Sequence, residues 1–397
     1  MSTQKPIYLY ITPFFPSPES WRGGYCLDAA KAIIRDGRYD VRVIAEGTGD
    51  DYEWDGIKVH CMRRLVAPSG LVPFLLAPIN NLLFRRTLKR MGIKPDDVAV
   101  CHANTIEFGH YAAWFKRMNR SATAIIQMHF SYNFSLASGR LGVVPLHASL
   151  LYLYYRHVCE KVDILAFVSK MACDTFGKRF TNTPEDDIKD VRSQLLFGRF
   201  MRDIRLPKLM VVYNGVDQEL FYPKPMNSHE GFTIGCVANF QPLKDHMTLL
   251  KAANILKDKI DGLMVRLMGS GATLQACRKY VADNALEKMV RFEKEVDHRS
   301  LPDFYRELDL FVLPSRIEGF GCVYAESLAC GTPFICCRDA GIAELVSDEW
   351  KIAPLDAMAL ADKILAYSNT RQEQHLKRDL EINGIWREFL DEIGRPG

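Results

Sequence analysis

The segment "PSRIEGFGCVYAESLACGTP", residues 314–333, carries the two acidic residues Glu318 and Glu326. It follows the apolar run "LFVLPS" (310–315), which predicts a buried strand, and continues into the helix-like run "CVYAESLACG". Glu318 is therefore expected in a strand-to-helix loop and Glu326 in the helix behind it. Because open parallel sheets bind ligands at the carboxyl ends of their strands, the segment predicts a doubly wound α/β sheet with a ligand site at this loop.

The composition of the loop indicates what kind of ligand it could bind. The glycines of "GFG" (319–321) allow backbone amides to approach a ligand closely. Carboxylates form good hydrogen bonds with sugar hydroxyls, and two carboxylates at different depths suit a ligand with a polyhydroxyl group at each end. The alternative is that Glu318 only caps the helix and Glu326 is a surface residue.

The same strand and helix alternation runs through the whole chain, which predicts parallel sheets with crossover helices. The predicted strands of the first half are 6–12, 41–45, 98–103, 122–129, 163–169 and 210–215. Those of the second half are 232–238, 263–269, 290–296, 310–315 and 333–338.

A polar stretch with two prolines separates the two series of strands and resembles a linker. The predicted organisation is a first Rossmann-like domain over 1–217, a linker over 218–231 and a second Rossmann-like domain over 232–397. The last helix, "EINGIWREFLDEIG", has no assigned partner, and a return to the first domain is one arrangement for it. Two doubly wound domains joined by a hinge are expected to face each other across a ligand-binding cleft.

Composition excludes several classes of protein. The 397 residues are 48% hydrophobic and 25% charged, as in folded globular proteins. A net charge of +3 gives no field of the strength that nucleic-acid binding requires, so no nucleic-acid partner is expected. The eleven cysteines lack paired metal or redox spacing, and no cluster has metal-ligand spacing, which predicts free thiols and a site without metal.

The location is expected to be cytoplasmic, because the N-terminal apolar run meets prolines at once and reads as a strand instead of a signal peptide. In residues 63–90, clusters of basic residues flank an apolar middle that contains prolines. Segments that lie on anionic membranes have this composition. A second basic stretch, 191–208, could serve the same surface. The alternative is that both stretches cover the first domain, with solvated basic ends.

The residues around the two glutamates resemble the nucleotide-sugar signature of the retaining glycosyltransferases of family 4, which have the GT-B fold. The matching stretch is "FVLPSRIEGFGCVYAESLACGTPFI". The resemblance implies that Glu318 contacts the donor sugar and that Glu326 holds the ribose hydroxyls. It also implies that the amides of the intervening turn contact sugar or phosphate; these residues are Gly319, Phe320, Gly321 and Cys322.

Two further segments extend the resemblance over nearly the whole chain. "VVYNGVDQELFYP" (211–223) is similar to the family's segment at the end of the first domain. "IGCVANFQPLKDHMTLLKAANIL" (234–256) resembles the first strand and helix of the second domain, where Lys244 would neutralise the donor diphosphate. The sequence departs from the family at Asn239, where an arginine commonly helps to bind the diphosphate. Arg316 and Arg338 are candidates to replace its charge.

The resemblance assigns donor-binding roles to other loops as well. Gly23 and Gly24 open a helix after the first strand, where glycine amides form a natural anion site, and a simple turn is the alternative. Gly269 and Gly271 follow a strand and would lie beside the nucleotide, or form an ordinary turn. The backbone of the strand end at Lys294 and Glu295 would read the base, which leaves uracil and guanine unresolved.

His129 ends the strand "ATAIIQMH" and resembles the family's active-site histidine, although such a histidine is often structural. His102 also ends a strand and is the weaker candidate. The catalytic residues implied by the resemblance are His129, Glu318 and Lys244.

The function expected from the resemblance is transfer of a hexosyl or N-acetylhexosaminyl group from a UDP-sugar or GDP-sugar, with retention and without metal or cofactor. UDP is favoured. The acceptor would be a glycan or lipid-linked glycan in surface-polysaccharide or glycoconjugate assembly, with peripheral binding to the membrane. One alternative is a nucleotide-sugar-binding scaffold with little activity. Another is a nicotinamide dehydrogenase, disfavoured because "ITPFFPSPES" supplies no glycine-rich phosphate loop.

Overall fold

A computed structural model of the protein describes residues 5–18, 20–66, 73–129, 153–181, 204–224 and 230–395. The chain forms two compact units, the first made of Met1–Tyr213 with Asn383–Gly397 and the second of Asn214–Ile382. Parts of three predicted segments lie outside the described residues: 67–72 of the basic apolar segment, 191–203 of the second basic stretch, and 225–229 of the linker.

The first unit is built on an eight-stranded sheet, as far as the described residues show, in the order β3-β4-β2-β1-β5-β6-β7-β8. Its strands are β1 Ile7–Thr12, β2 Asp40–Glu46, β3 Tyr52–Trp54, β4 Ile57–Met62, β5 Val98–Ala103, β6 Thr123–Met128, β7 Ile164–Phe167 and β8 Lys208–Val211. Pairing is parallel except between β3 and β4. The hairpin β3–β4 escaped sequence prediction because its strands are short and partly polar.

Helices connect these strands and cover the sheet, whose strands β1 and β7 are buried throughout. The helices of the first unit are α1 Gly24–Asp36, α2 Pro73–Arg90, α3 Gly109–Met118 and α4 Lys170–Thr181, with a further helical segment at 153–159. Strands covered on both faces need apolar side chains on both, and the near-continuous apolar runs of the sequence meet that need.

The second unit is built on a six-stranded parallel sheet within the described part of the chain, in the order β11-β10-β9-β12-β13-β14. Its strands are β9 Phe232–Val237, β10 Leu263–Met268, β11 Val290–Glu293, β12 Leu310–Leu313, β13 Phe334–Cys337 and β14 Lys351–Ile352. The chain order reverses between β9 and β12, which places the topological switch point, and the expected ligand site, at their carboxyl ends.

The helices after β8 are α5 His246–Leu256, α6 Leu274–Asp283, α7 Leu301–Arg306, α8 Cys322–Ala329, α9 Ala357–Thr370 and α10 Ile382–Ile393. Helix α10 packs in the first unit, where Trp386 is buried and its ring centroid lies 6.1 Å from that of His102. Arg38 of the same unit forms an ion pair with Asp391 at 2.7 Å. All eleven cysteines are free thiols in the structure.

Candidate functional site

The loops after β9 and β12 place the predicted donor residues side by side in the second unit. The loop after β9 leads through Lys244 into α5, and the loop after β12 leads through Glu318 into α8. The backbone N–H of Arg316 donates to the carbonyl of Leu243 at 2.9 Å, which ties the two loops together. Adjacent strands β9 and β12 therefore present both loops at the edge that the topology marks for a ligand.

Lys244 and Glu318 form an ion pair. The Lys244 Nζ donates to Glu318 Oε2 at 2.6 Å, and the Glu318 residue is only 8% exposed. Burial of a carboxylate is costly unless a cation or hydrogen-bond donors compensate, and Lys244 provides that compensation. Glu318 is thus a charged group held in place, and the alternative that it only caps α8 does not describe its contacts.

The glycine turn after Glu318 is tightly packed. Gly321 precedes α8 with φ 88°, and a Cβ added there would lie 2.5 Å from the ring of Tyr324. The segment that follows β13 fixes the turn from the other side, because Gly341 N–H donates to the Glu318 carbonyl at 3.0 Å and Ile342 N–H to the Phe320 carbonyl at 3.2 Å. A rigid turn that requires glycine can aim the N-terminal amides of α8 at an anion.

Glu326 lies one turn inside α8 and is buried. Tyr305 donates its hydroxyl to Glu326 Oε2 at 2.8 Å, and the ring nitrogen Nε2 of His298 lies 3.4 Å from Oε1. The alternative of a surface glutamate is therefore wrong. Burial, followed by the nearby charge of Glu326, raises the pKa of Tyr305 far above its usual range, so the phenol remains a hydrogen-bond donor.

Gly269 and Gly271 bring two loops into close contact. A Cβ at Gly269 would lie 2.1 Å from the carbonyl oxygen of Ala238, and one at Gly271 would lie 2.6 Å from that of Phe240. Both have φ near +145° (145° and 143°), which favours glycine. Phe240 N–H donates to the Ser270 carbonyl at 2.7 Å and completes the contact. A side chain at either position would collide with the backbone of the other loop, so close packing alone explains both glycines.

The predicted donor residues Asn239, Lys294 and Glu295, which lie on other loops of this unit, are exposed. Asn239 lies beside the same loop contact, and its carbonyl accepts from Gln241 N–H at 2.8 Å. Lys294 and Glu295 follow β11, and Ser270 Oγ donates to Glu295 at 2.5 Å. Arg316 lies 3.6 Å from Asp245, and Arg338 is exposed after β13.

In the first unit, Gly23 and Gly24 begin α1. Gly23 has φ 92°, and a Cβ there would lie 2.7 Å from the carbonyl oxygen of Phe14. Gly24 packs under the ring of Trp21, since an added Cβ would be 2.4 Å from its Nε1. Both positions exclude a side chain, which permits close approach of the backbone to the loop after β1.

His129 follows β6 in the same unit and contacts residues from two neighbouring elements. Its Nε2 lies 2.8 Å from Asn104 Oδ1, and its ring centroid lies 4.6 Å from that of Tyr25. Burial lowers the pKa of His129 to about 4, so the ring is neutral near pH 7. His102, the weaker candidate, is fully buried within β5, and its Nδ1 is 2.7 Å from the Tyr8 hydroxyl.

The structure brings Lys244, Glu318 and Gly321 onto two adjoining loops of the second unit, with Glu326 in the helix α8 that follows the second loop. Sequence reasoning missed three residues that hold the predicted ones in place: Asn104, His298 and Tyr305. Asn104 could have been recognised as a polar residue immediately after a buried strand. Tyr305 and His298 lie in a helix and turn far from Glu326 in sequence and carried no signal of their contact.

Two kinds of site are absent from the described residues. No group of three histidine, cysteine, aspartate or glutamate side chains in that part of the chain is arranged to hold a metal ion. Among the same residues, no helix combines the length and the apolar character needed to cross a bilayer.

Comparison with known proteins finds a family similarity in the second unit. Residues 217–383 match the family described as "Glycosyl transferases group 1", nearly the full extent of that unit. The match includes the signature around Glu318 and Glu326 and agrees with the resemblance seen in the sequence.

Two curated relatives show how far the similarity extends. The D-inositol 3-phosphate glycosyltransferase of Thermomonospora curvata is 29% identical over 198 residues, 44% of this chain and 46% of the relative. A GDP-mannose-dependent alpha-(1-6)-phosphatidylinositol monomannoside mannosyltransferase of Mycolicibacterium smegmatis is 27% identical over 150 residues, 34% of this chain and 39% of the relative. The aligned part thus spans less than half the length of either relative.

The fold is shared over the whole chain with solved structures. The structure of Anabaena HepE in complex with UDP matches with a TM-score of 0.67 at 16% identity, over 98% of this chain and 99% of that one. The two parallel-sheet units therefore have the GT-B fold, which confirms the predicted fold class.

Proposed function

We propose that this protein transfers a hexosyl or N-acetylhexosaminyl group from a nucleoside diphosphate sugar to a glycan or lipid-linked glycan, with retention of configuration. The observation that carries the proposal is the arrangement of Lys244 and Glu318 on two adjoining loops at the carboxyl ends of β9 and β12, with Glu326 buried in the helix α8 that follows. One cation and two buried carboxylates match a ligand with a diphosphate between two polyhydroxyl groups.

The proposed roles follow from the contacts of each residue. Glu318 orients sugar hydroxyls, and Glu326, with one oxygen held by Tyr305, accepts hydrogen bonds from the ribose. Lys244 and the amides at the start of α8 stabilise the diphosphate as the glycosidic bond breaks and negative charge develops on the leaving group. The leaving phosphate assists removal of the acceptor proton, so the proposal needs no protein base and no metal.

Donors with uracil or guanine are both compatible with the comparisons, and we favour UDP. Anabaena HepE was solved with UDP, and the mycobacterial relative is named for its dependence on GDP-mannose. Asn239 supplies no charge to the diphosphate, and Arg316 lies against Asp245. We therefore expect the diphosphate to be bound more weakly than it would be by a lysine and an arginine together.

The test is a panel of UDP-, GDP- and ADP-sugars, with binding measured by calorimetry and slow donor hydrolysis by chromatography, with and without EDTA. We expect saturable binding to one nucleotide class and EDTA-insensitive hydrolysis. Glu326→Ala should weaken nucleotide binding, whereas Glu318→Ala should chiefly lower turnover. An exposed glutamate on the surface, Glu287→Ala, is the matched control. Absence of binding to every donor would refute the proposed function.

The second candidate function is a nucleotide-sugar-binding scaffold, and Asn239 is the observation that favours it. Transfer assays separate the two candidates, since the scaffold predicts donor binding with no product on any glycan or lipid-linked acceptor. Asn239→Arg is informative here, because restoring a second cation should tighten donor binding in either case and raise turnover only in an enzyme.

We also propose that the first unit binds anionic membranes through α2. The exposed side chains of this helix combine apolar residues with basic ones, namely Ile79, Leu82, Arg85, Arg86 and Lys89. Such a surface binds anionic headgroups by charge and the interface by apolar contact. Sedimentation with vesicles containing anionic lipid should show binding that salt weakens and that Arg85→Glu with Arg86→Glu abolishes. Equal sedimentation with neutral vesicles would count against it.

A further inference from the structure

Asn104 lies where three elements of the first unit meet. Strands β1, β5 and β6 are neighbours in the sheet; β1 ends with Thr12, and β5 and β6 are followed by Asn104 and His129. Asn104 is fully buried, and its side chain contacts Thr12, Cys26 and His129. A buried amide must place its donor and acceptor ends correctly, because each end is costly to leave unpaired.

The direction of the hydrogen bonds starts at a backbone carbonyl. The Phe14 carbonyl can only accept, and Thr12 Oγ1 donates to it at 2.8 Å. With its proton used there, Thr12 Oγ1 is an acceptor for Asn104 Nδ2, which lies 3.3 Å away. The amide nitrogen of Asn104 therefore faces Thr12, and its carbonyl oxygen faces the opposite way.

Cys26 at the start of α1 supports the same orientation. Its sulfur lies 2.8 Å from Asn104 Nδ2. Burial raises the pKa of Cys26 to about 12, so the thiol stays uncharged and its sulfur can accept from the amide. Two acceptors thus surround the NH2 group of Asn104.

His129 Nε2 lies 2.8 Å from Asn104 Oδ1. Because an amide oxygen only accepts, Nε2 of His129 has to carry the proton. Burial lowers the pKa of His129 to about 4, and at neutral pH the ring holds a single proton. Nδ1 is then the nitrogen with the lone pair.

We propose that Asn104 is a positioning residue that holds His129 as the Nε2–H tautomer, so that Nδ1 is the ring nitrogen able to accept a hydrogen bond from a substrate hydroxyl. The identity of the substrate rests on the proposed function above, whereas the tautomer rests on the network of Thr12, Cys26 and Asn104 alone.

Nitrogen NMR of the full chain labelled with [15N]histidine tests the tautomer directly, with His129→Gln used to assign the signal. We expect the wild-type protein at pH 7 to show a protonated Nε2 and an unprotonated Nδ1. Asn104→Asp keeps an acceptor for Nε2 and should keep the tautomer. Asn104→Leu removes the acceptor and should give a mixture. A wild-type signal from Nδ1–H, or no change in the leucine variant, would overturn the proposal.

Kinetics separate positioning from a purely structural role. Asn104→Leu should lower kcat by about tenfold to 100-fold, since small misplacements of a reacting group cost that much. Nucleotide affinity should stay unchanged, and Asn104→Asp should recover most of the activity. Equal loss in both variants would contradict positioning.

Thr12→Val provides a second test of the same network if Asn104→Leu does not fold. This variant removes the hydroxyl that orients the amide but keeps the acceptor for His129, so a partial shift toward Nδ1–H is expected. An unshifted signal would mean that the amide is oriented by something else and would refute the network. If no donor is turned over, the proposed function fails, while the NMR result still decides the role of Asn104.

Discussion

Lys244 Nζ and Glu318 Oε2 lie 2.6 Å apart, so that the residue assigned to the diphosphate and the residue assigned to the sugar neutralise each other before any ligand is bound. A donor must therefore compete with Glu318 for Lys244, or share it. The pair also compensates for the burial of Glu318, of which only 8% is exposed.

Lys244→Met should destabilise the second unit by about 1–3 kcal/mol, because Glu318 is left buried without its partner. Adding Glu318→Gln should recover part of that loss without restoring transfer. Thermal unfolding and donor-binding assays on both variants measure the two effects, with the exposed Lys251→Met of α5 as the control. Additive losses in the double variant would show that the two residues do not interact.

Tyr305→Phe should raise the Kd for the nucleotide by about threefold to tenfold, since Glu326 Oε2 loses the donor that orients it. Tyr324→Phe is the matched control. It also removes a buried hydroxyl, one that donates to the Leu313 carbonyl at 2.7 Å, away from Glu326. Calorimetric titration should find weaker binding in the first variant only, with lower thermal stability in both. Similar affinity in the two variants would contradict the assigned role.

Gly321→Ala should abolish donor binding, and Gly331→Ala should not. Both glycines have positive φ, at 88° and 91°, so each substitution carries a backbone cost of about 1–2 kcal/mol. At Gly321 the new Cβ would also meet the Tyr324 ring at 2.5 Å, whereas at Gly331 the nearest atom is 3.3 Å away, on Pro223. Calorimetry on the two proteins, with circular dichroism to confirm folding, measures the difference. Intact binding in Gly321→Ala would mean that the turn does not touch the donor.

The first unit should lose stability as the pH falls below 6.5. Burial lowers the pKa of His102 and of His110 to about 3, and the charge of Arg64 contributes at His110. The unfolded chain therefore takes up protons that the folded unit cannot. Each histidine is expected to lower the free energy of unfolding by about 2 kcal/mol between pH 6.5 and pH 5. Denaturant unfolding of wild type and His110→Gln at pH 7 and pH 5 measures this, and the variant should show the smaller loss. Equal losses would refute the assignment to His110.

Local sequence patterns predicted the two sheets and the glutamates at the switch point, since buried parallel strands are apolar throughout and strand-end loops are short. The hairpin β3–β4 and the two-residue strand β14 were missed, because β3 and β14 are too short to mark a strand and β4 carries polar residues among its apolar ones. The contacts of Glu326 with Tyr305 and His298, and of His129 with Asn104, could not be predicted. They join residues far apart in sequence, and only the packed fold specifies them.

Helix α10 gives the first unit a component from the far end of the chain, with Trp386 buried beside His102 and Asp391 paired with Arg38. A ribosome releases residues 5–213 long before it releases 383–395. The early unit therefore stays incomplete, with the surface that receives Trp386 uncovered, while the whole second unit is being made. The first unit is thus completed only after every residue of the second unit has been synthesised.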